Sequence, residues 1–441
     1  MTAPFFQVLF CLAAGIAGII LLTAKYRVHA FFALLIACFI VGLGVQLPVA
    51  DIIAATKDGF GNVMKSLGLI IVLGTTLGIL LEHTGSTKVM VGFILKKIGE
   101  RRAPLAMSLT GFIVGLPIFC DSGYIVLNGL NQSLARRTNT SVVVMAVSLA
   151  TGLYSVHCLI PPHPGATAAA GVIGVDFGKL ILMGIIVAVP ASIAGHLWAN
   201  YAGRKWPVVP AVEETKAEAA SPPPPVLKAF LPVIVPIALI TVKSFFTIES
   251  TAANGWWTAI FSLGDPVIAL AIGILLAFAC KKSWDKNTVA RLLSAAAERA
   301  GGILVIIGAG GAFGAVLAAT KIGDQFGKIP ALESLGILFP FLLASLLKTA
   351  QGSSTVAIVT AASIVQPLLP ALGLATDQGR LLCVLAMGAG SMMISHANDA
   401  YFWVIARFSG LEMKTMLKVY STASILMGLV SLLMVYLLSL V

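Results

Sequence analysis

Two stretches of this chain join acid–base side chains to helix-breaking residues. They are Gly115-Leu-Pro-Ile-Phe-Cys-Asp-Ser-Gly-Tyr-Ile-Val-Leu127 and His157-Cys-Leu-Ile-Pro-Pro-His-Pro-Gly-Ala-Thr167. Each sits inside a long apolar region and brings in Asp or His where Pro and Gly interrupt the helix. Two shorter stretches carry a related signature, Gln351-Gly-Ser-Ser-Thr355 and Ser395-His-Ala-Asn-Asp399. Broken backbone at membrane depth persists only where it is buried in protein or lines a watery cavity. An ionisable group there marks a functional site by default. These residues point to a polar ligand held in the middle of the protein.

The residue types say what kind of ligand. Ser122, Gly123, Ser353, Ser354 and Thr355 offer small hydroxyls and close backbone approach. Helix N-termini opening beside them would present free N–H groups and the positive end of the helix dipole. That combination suits a small anionic organic acid, a carboxylate with a polyhydroxyl tail.

Asp121 has two readings. In low dielectric it could load and release a coupling proton or accept from a substrate hydroxyl; alternatively it caps the returning helix of a turn. His163, flanked by Pro162 and Pro164 and followed by Gly165, is either a substrate donor or proton partner, or a structural histidine on a freed carbonyl. His396, Asn398 and Asp399 hold the matching place in the second half, where His396 or Asp399 could titrate; a solvated loop competes with that reading. Gln351 and Gly352 read as a hydroxyl reader or as plain turn chemistry. Lys348 reads as an anion partner or a snorkelling chain, His157 as structural, and Glu82-His83 as interfacial. No phosphate loop, His–Glu–x–x–His pattern or Gly-x-Ser-x-Gly elbow is present. No ATP drive, enzyme activity, cofactor or metal is expected.

The elements that position these residues follow from composition. The 441-residue chain is 58% hydrophobic and 11% charged, with mean hydropathy +0.99. Such a chain lies mostly in a lipid bilayer. Apolar windows of spanning length recur at 5–24, 30–47, 67–82, 141–157, 177–198, 229–247, 262–280, 301–319, 380–395 and 417–440. No run of strand-like alternation supports a β-barrel. The N-terminal window reads as a retained span, not a signal peptide. The net charge of +11 reports basic cytoplasmic loops rather than nucleic-acid binding. The six cysteines show no ligand spacing and read as small apolar fillers.

Placing Lys96-Lys97, Arg101-Arg102, Arg136-Arg137, Arg204-Lys205, Lys281-Lys282 and Arg407 inside sets the topology. Both flanks of 103–135 are then cytoplasmic, and that segment is too short for two full spans and a turn. It is expected as a re-entrant hairpin turning near Cys120-Asp-Ser-Gly123. Segments 51–66 and 281–300 are expected as separate amphipathic pieces, and 335–372 as a second hairpin. The fold class is an all-α polytopic membrane protein with two inverted-topology repeats, 1–203 and 229–441. Each has a re-entrant hairpin and a discontinuous helix. A linker at 204–228 with the Pro222–Pro225 run joins them. Weak echoes support the repeat: Cys120-Asp-Ser-Gly-Tyr-Ile-Val126 against Gln351-Gly-Ser-Ser-Thr-Val-Ala357, and His163-Pro164 against Ser395–Asp399.

Three runs carry a family resemblance: Gly115–Tyr124, Leu159-Ile-Pro-Pro-His-Pro-Gly-Ala166 and Ser395-His-Ala-Asn-Asp-Ala-Tyr-Phe-Trp403. The chain resembles, over its whole length, the gluconate:proton symporter (GntP) family of bacterial inner-membrane permeases, within the ion transporter superfamily. The resemblance implies a sugar acid such as gluconate taken up with a proton. It implies a homodimer, scaffold and transport parts, and elevator-like motion. Members also carry D-serine and other small hydroxy or amino acids. Sodium coupling and passive facilitation stay open as alternatives.

Overall fold

A computed structural model describes residues 4–208, 223–245, 262–321, 330–397 and 399–440. Asn398 and residues 209–222, most of the expected linker and the first residue of its proline run, lie outside the described residues, as do the last residues of the 229–247 window. No strand occurs among the described residues. The first half comprises α1 (Phe5–Ile20), α2 (Ala30–Gly44), α3 (Val49–His83), α4 (Ser86–Ile98), α5 (Ala103–Gly115), α6 (Cys120–Arg137), α7 (Val142–Leu159), α8 (Pro164–Ile173) and α9 (Phe177–Lys205). The second comprises α10 (Val226–Phe245), α11 (Pro266–Phe278), α12 (Lys286–Ala319), α13 (Pro330–Leu335), α14 (Leu338–Gln351), α15 (Ser354–Val365), α16 (Asp377–Ser391), α17 (Ala400–Ser409), α18 (Met413–Met416) and α19 (Thr422–Ser439). Seven helical segments among the described residues are long and apolar enough to cross a membrane.

Two boundaries expected from sequence are absent. Segment 51–66 runs unbroken into 67–82 as α3, and 281–300 runs from Lys286 into 301–319 as α12. The reason is helical phase. Buried Ile52, Gly59, Val63, Leu67 and Ile70 keep one stripe through the change in polarity. Lys57, Asp58 and Lys65 face away from it and are exposed. A 35-residue helix is about 52 Å long, well beyond the roughly 30 Å hydrocarbon thickness, so its polar end has room outside the lipid. The two long helices press together at glycine: a Cβ on Gly59 would overlap the Gly311 carbonyl and lie 2.7 Å from Ala315 Cβ.

The turn of the first hairpin-shaped pair also differs from expectation. Helix α5 ends at Gly115 and α6 starts at Cys120, because Pro117 offers no N–H to continue the ladder. Asp121, Ser122 and Gly123 therefore stand in the first turn of α6, not in the connection. In the second pair the break falls at Gly352–Ser353. Gly352 adopts φ 82°, a conformation that glycine reaches without steric cost, and it closes α14.

Helix α7 is buried along its whole length, Val142 to Leu159, so it sits at the centre of the molecule. Glycine lets α5 lie directly on it: a Cβ on Gly111 would come within 2.6 Å of the Leu149 carbonyl oxygen. The second half repeats the motif, with Gly390 of α16 against the Phe341 carbonyl of α14. Helices α7 and α16 then both unwind, at Ile160–His163 and over 392–397, before α8 and α17 follow. Each unwound stretch carries a histidine that bonds the end of the preceding short helix. His163 Nε2 lies 2.6 Å from the Gly115 carbonyl and His396 Nε2 lies 3.0 Å from the Thr349 carbonyl.

Candidate functional site

The breaks put helix starts around one cavity of about 380 Å³, a size at the low end of ligand sites. Its wall includes Phe119, Cys120 and Asp121 at the start of α6, Pro164 at the start of α8, Gly352 to Val356 at the start of α15, and Asp399 to Tyr401 at the start of α17. Four helix N-termini thus converge. They are not equivalent. Ser353 caps α15 by accepting the Val356 N–H at 3.3 Å, and Asp399 caps α17 by accepting the Tyr401 N–H at 2.9 Å. Helices α6 and α8 start at Phe119 and His163 with no side-chain cap. Uncapped first-turn N–H groups remain available to an anion.

Arg299 of α12 reaches into this cavity from the other half of the chain. Its guanidinium lies 3.3 and 3.4 Å from the two Asp121 carboxylate oxygens, donates to Ser122 Oγ at 2.6 Å, and stacks 4.4 Å from the Phe119 ring centroid. The side chains of Arg299 and Asp121 are 32% and 48% exposed, so this pair is accessible. Asp121 is therefore not the isolated carboxylate in apolar surroundings that its sequence context suggests. Arg299 is the residue that sequence reasoning missed. The signal was phase: Arg299, Ile303 and Ile306 follow at helical spacing, and all three line the cavity. Splitting α12 at residue 300 hid it.

A second ion pair is sealed. Lys348 Nζ lies 2.6 Å from Asp399 Oδ2 and 2.6 Å from the Gly352 carbonyl, and its side chain is 0% exposed. Asp399 also accepts from Ser395 Oγ. Neither reading of Lys348 from sequence describes this. It is neither snorkelled nor open to a ligand, because a carboxylate of its own chain holds it. Asp399 is correspondingly buried, which overturns the solvated-loop reading.

The remaining candidates separate into wall and support. Gln351, Gly352, Ser353, Ser354 and Thr355 line the cavity. Gly123 does not; a Cβ there would meet Leu153 Cδ2 at 2.8 Å, so it serves packing of α6 on α7. Gly165 similarly lets α8 approach α15, with Thr355 Cα 3.3 Å from where a Cβ would sit. His163 is 3% exposed and off the cavity wall, spent on the Gly115 carbonyl. His396 is spent on Thr349. His157, read from sequence as structural, lines the cavity instead.

Comparisons with known proteins agree along the whole chain. The model of the GntP family permease matches residues 7–441. A gluconate permease of Pseudomonas aeruginosa is 35% identical over 97% of this chain and 96% of its own. A D-serine transporter of Escherichia coli K12 is 31% identical over 97% of each. Among solved structures, MtrF of Neisseria gonorrhoeae, from a class of antimetabolite efflux pumps, shares the fold with a TM-score of 0.61 at 14% identity, over 88% of this chain and 83% of that one. The relatives are named permeases and transporters, not enzymes. This chain is a multi-pass membrane protein and belongs to the GntP family of permeases.

Proposed function

We propose that this protein imports a sugar acid, gluconate or a related aldonate, by proton symport across the bacterial inner membrane. The observation that carries the reading is the Arg299–Asp121 pair, accessible at a cavity ringed by helix N-termini. An incoming carboxylate would take Arg299 and the uncapped N–H groups of α6. It can do so fully only when Asp121 gives Arg299 up, which a proton on Asp121 achieves.

Charge counting then makes the coupling obligatory. The empty pair, Arg299 positive and Asp121 negative, sums to zero. With a monoanion and a proton aboard it again sums to zero. Substrate without proton leaves −1, and proton without substrate leaves +1. A net charge at bilayer depth costs about 2.5–3.5 kcal/mol on insertion scales, so the half-loaded forms cross rarely. The inward proton gradient would thereby drive accumulation. The Lys348–Asp399 pair keeps its own sum at zero throughout and acts as a fixed part of the wall.

The architecture we propose is two inverted repeats, 1–203 and 229–441, joined by the linker 204–228. Residues 103–135 and 335–372 form re-entrant hairpins whose tips meet the broken helices α7–α8 and α16–α17 near the midplane. The matched histidine–carbonyl bonds and the matched glycine contacts support it. A homodimer with elevator-like motion extends this reading on the family resemblance.

The similarity to D-serine transporters supports a second reading, a small amino or hydroxy acid as substrate, with sodium coupling or passive facilitation as its variants. Uptake into proteoliposomes under separately imposed H⁺ and Na⁺ gradients, with a panel of labelled acids, decides. Concentrative gluconate uptake driven by H⁺ alone is expected. Sodium-driven uptake, or uptake that ignores both gradients and stops at the external concentration, defeats the proposal.

A further inference from the structure

The described cavity wall carries polar atoms with nothing to bond. The Gln351 side-chain amide has both its nitrogen and its oxygen buried and without a hydrogen-bond partner. His157 is 8% exposed, and its Nδ1 is likewise buried and unpartnered. Both residues line the same cavity. Buried polar atoms are almost always satisfied, and an orphan asks for a ligand or a reason. Three orphan atoms on two side chains of one cavity wall ask for the same ligand.

We infer that His157 and Gln351 form the hydroxyl-reading subsite of this transporter, and that they set its preference for hydroxylated acids. This rests on the cavity being the substrate site. The chemistry fits. A neutral imidazole and a primary amide each offer both a donor and an acceptor, which is what a hydroxyl, itself donor and acceptor, uses best. Neither carries the negative charge that would select an ammonium group. The placement fits as well. Arg299 stacks 4.4 Å from the Phe119 centroid, and Phe119 lies edge-on to His157 with 6.4 Å between centroids. A carboxylate on Arg299 therefore leaves the carbons that follow it within reach of the imidazole. Lys348, already committed to Asp399, does not compete for those hydroxyls.

Sites built to bond a hydroxyl reject the analogue that lacks it, because their own groups are then left unpaired. The test measures binding to purified protein for two matched pairs, gluconate against hexanoate and D-serine against D-alanine, in wild type, Gln351→Leu, His157→Phe and His157→Gln. We expect the wild type to favour the hydroxylated member by at least about 100-fold in the gluconate pair. Gln351→Leu and His157→Phe should cut that ratio to within a few-fold of one while leaving hexanoate binding unchanged. His157→Gln, which keeps a donor and an acceptor, should retain most of it. Ligand-free Gln351→Leu should melt no lower than wild type, since it deletes orphan atoms and no bond; a structural glutamine would show the opposite. Variants that keep the wild-type ratio overturn the inference, and so does a wild type indifferent to hydroxyls. A wild type that discriminates only within the D-serine pair, with the ratio still collapsing in Gln351→Leu, sinks the sugar-acid reading but upholds this one.

Discussion

Replacing Asp121 by asparagine separates coupling from binding. The substitution removes the acidic half of the Asp121–Arg299 pair at 3.3 Å. Because both partners are a third to a half exposed, its effect on stability is small, about 0.2–1 kcal/mol, and the variant should fold. Its effect on transport is large and one-sided. In Asp121→Asn the loaded site, Arg299 plus substrate anion, sums to zero, as in wild type. The empty site sums to +1. Only the return of the empty carrier acquires the charge penalty, about 2.5–3.5 kcal/mol, which is on the order of 100-fold in rate. Net uptake against a gradient should fall by that factor and lose its response to an imposed proton gradient. Exchange of external for internal substrate never uses the empty carrier and should stay within a few-fold of wild type. Counterflow and gradient-driven uptake in the same proteoliposome batch make the comparison. An Asp121→Asn protein that accumulates substrate as well as wild type would remove Asp121 from coupling. Equal loss of exchange and net uptake in well-folded protein would refute the charge count, because it would mean that Asp121 holds the substrate directly.

Other substitutions probe the neighbours. Arg299→Lys keeps the charge but not the bidentate fork, so the half-saturation concentration for uptake should rise about tenfold or more while proton dependence persists; loss of proton dependence would argue that guanidinium geometry, not charge, sets the coupling. Lys348→Met strands Asp399 in the interior at a cost of about 3–5 kcal/mol, seen as a lower melting temperature in detergent, and adding Asp399→Asn should recover part of it. A double variant no more stable than Lys348→Met would show that the methionine, not the stranded charge, is responsible. Gly152→Ala pushes a Cβ onto the Ser108 carbonyl and within 3.0 Å of the Phe112 nitrogen, backbone that cannot step aside, so folded yield should drop with about 1–3 kcal/mol of overpacking. Gly129→Ala, on an open face of α6 with nothing within 4 Å, should instead raise the melting temperature through roughly 0.5–1 kcal/mol of helix propensity. His163→Ala should lower thermal stability by removing the bond to Gly115 without changing hydroxyl selectivity.

The sequence announces breaks more clearly than partners. Pro161, Pro162 and Pro164 around His163 made the unwinding of α7 into α8 legible, and Gly352 did the same between α14 and α15, because each residue acts locally on its own backbone. Arg299 was not legible, because its role depends on a contact 178 residues away in the chain. Lys348 and Asp399 were both visible as charges out of place. Their mutual bond was not, since nothing local brings the end of α14 to the start of α17. The structure places His163 on its structural alternative and brings His157 to the cavity wall, for a geometric reason. His163 follows the break directly, so it faces the freed carbonyl of Gly115, whereas His157 lies one to two turns back on intact helix and turns its ring to the cavity.

On the proposed mechanism the two ion pairs make one cavity both fixed and switchable. Asp399 accepts from Lys348, Ser395 and the Tyr401 N–H, so its charge is met on several sides, and a proton arriving there would have to break a complete network. Asp121 pairs with Arg299, whose second bond goes to Ser122 Oγ. Almost half of its side chain is accessible, and it stands on the cavity wall, where a proton can reach it. Low local dielectric strengthens a satisfied network and penalises a broken one, which is why the proposed coupling role falls to Asp121 and not to Asp399. The same logic covers the helix starts. Ser353 and Asp399 satisfy the N-termini of the second half, while those of α6 and α8 carry no side-chain cap. On the proposed mechanism the anion is thereby directed to the end of the cavity where the Asp121–Arg299 pair stands, and one carboxylate and one proton would compete for a single arginine.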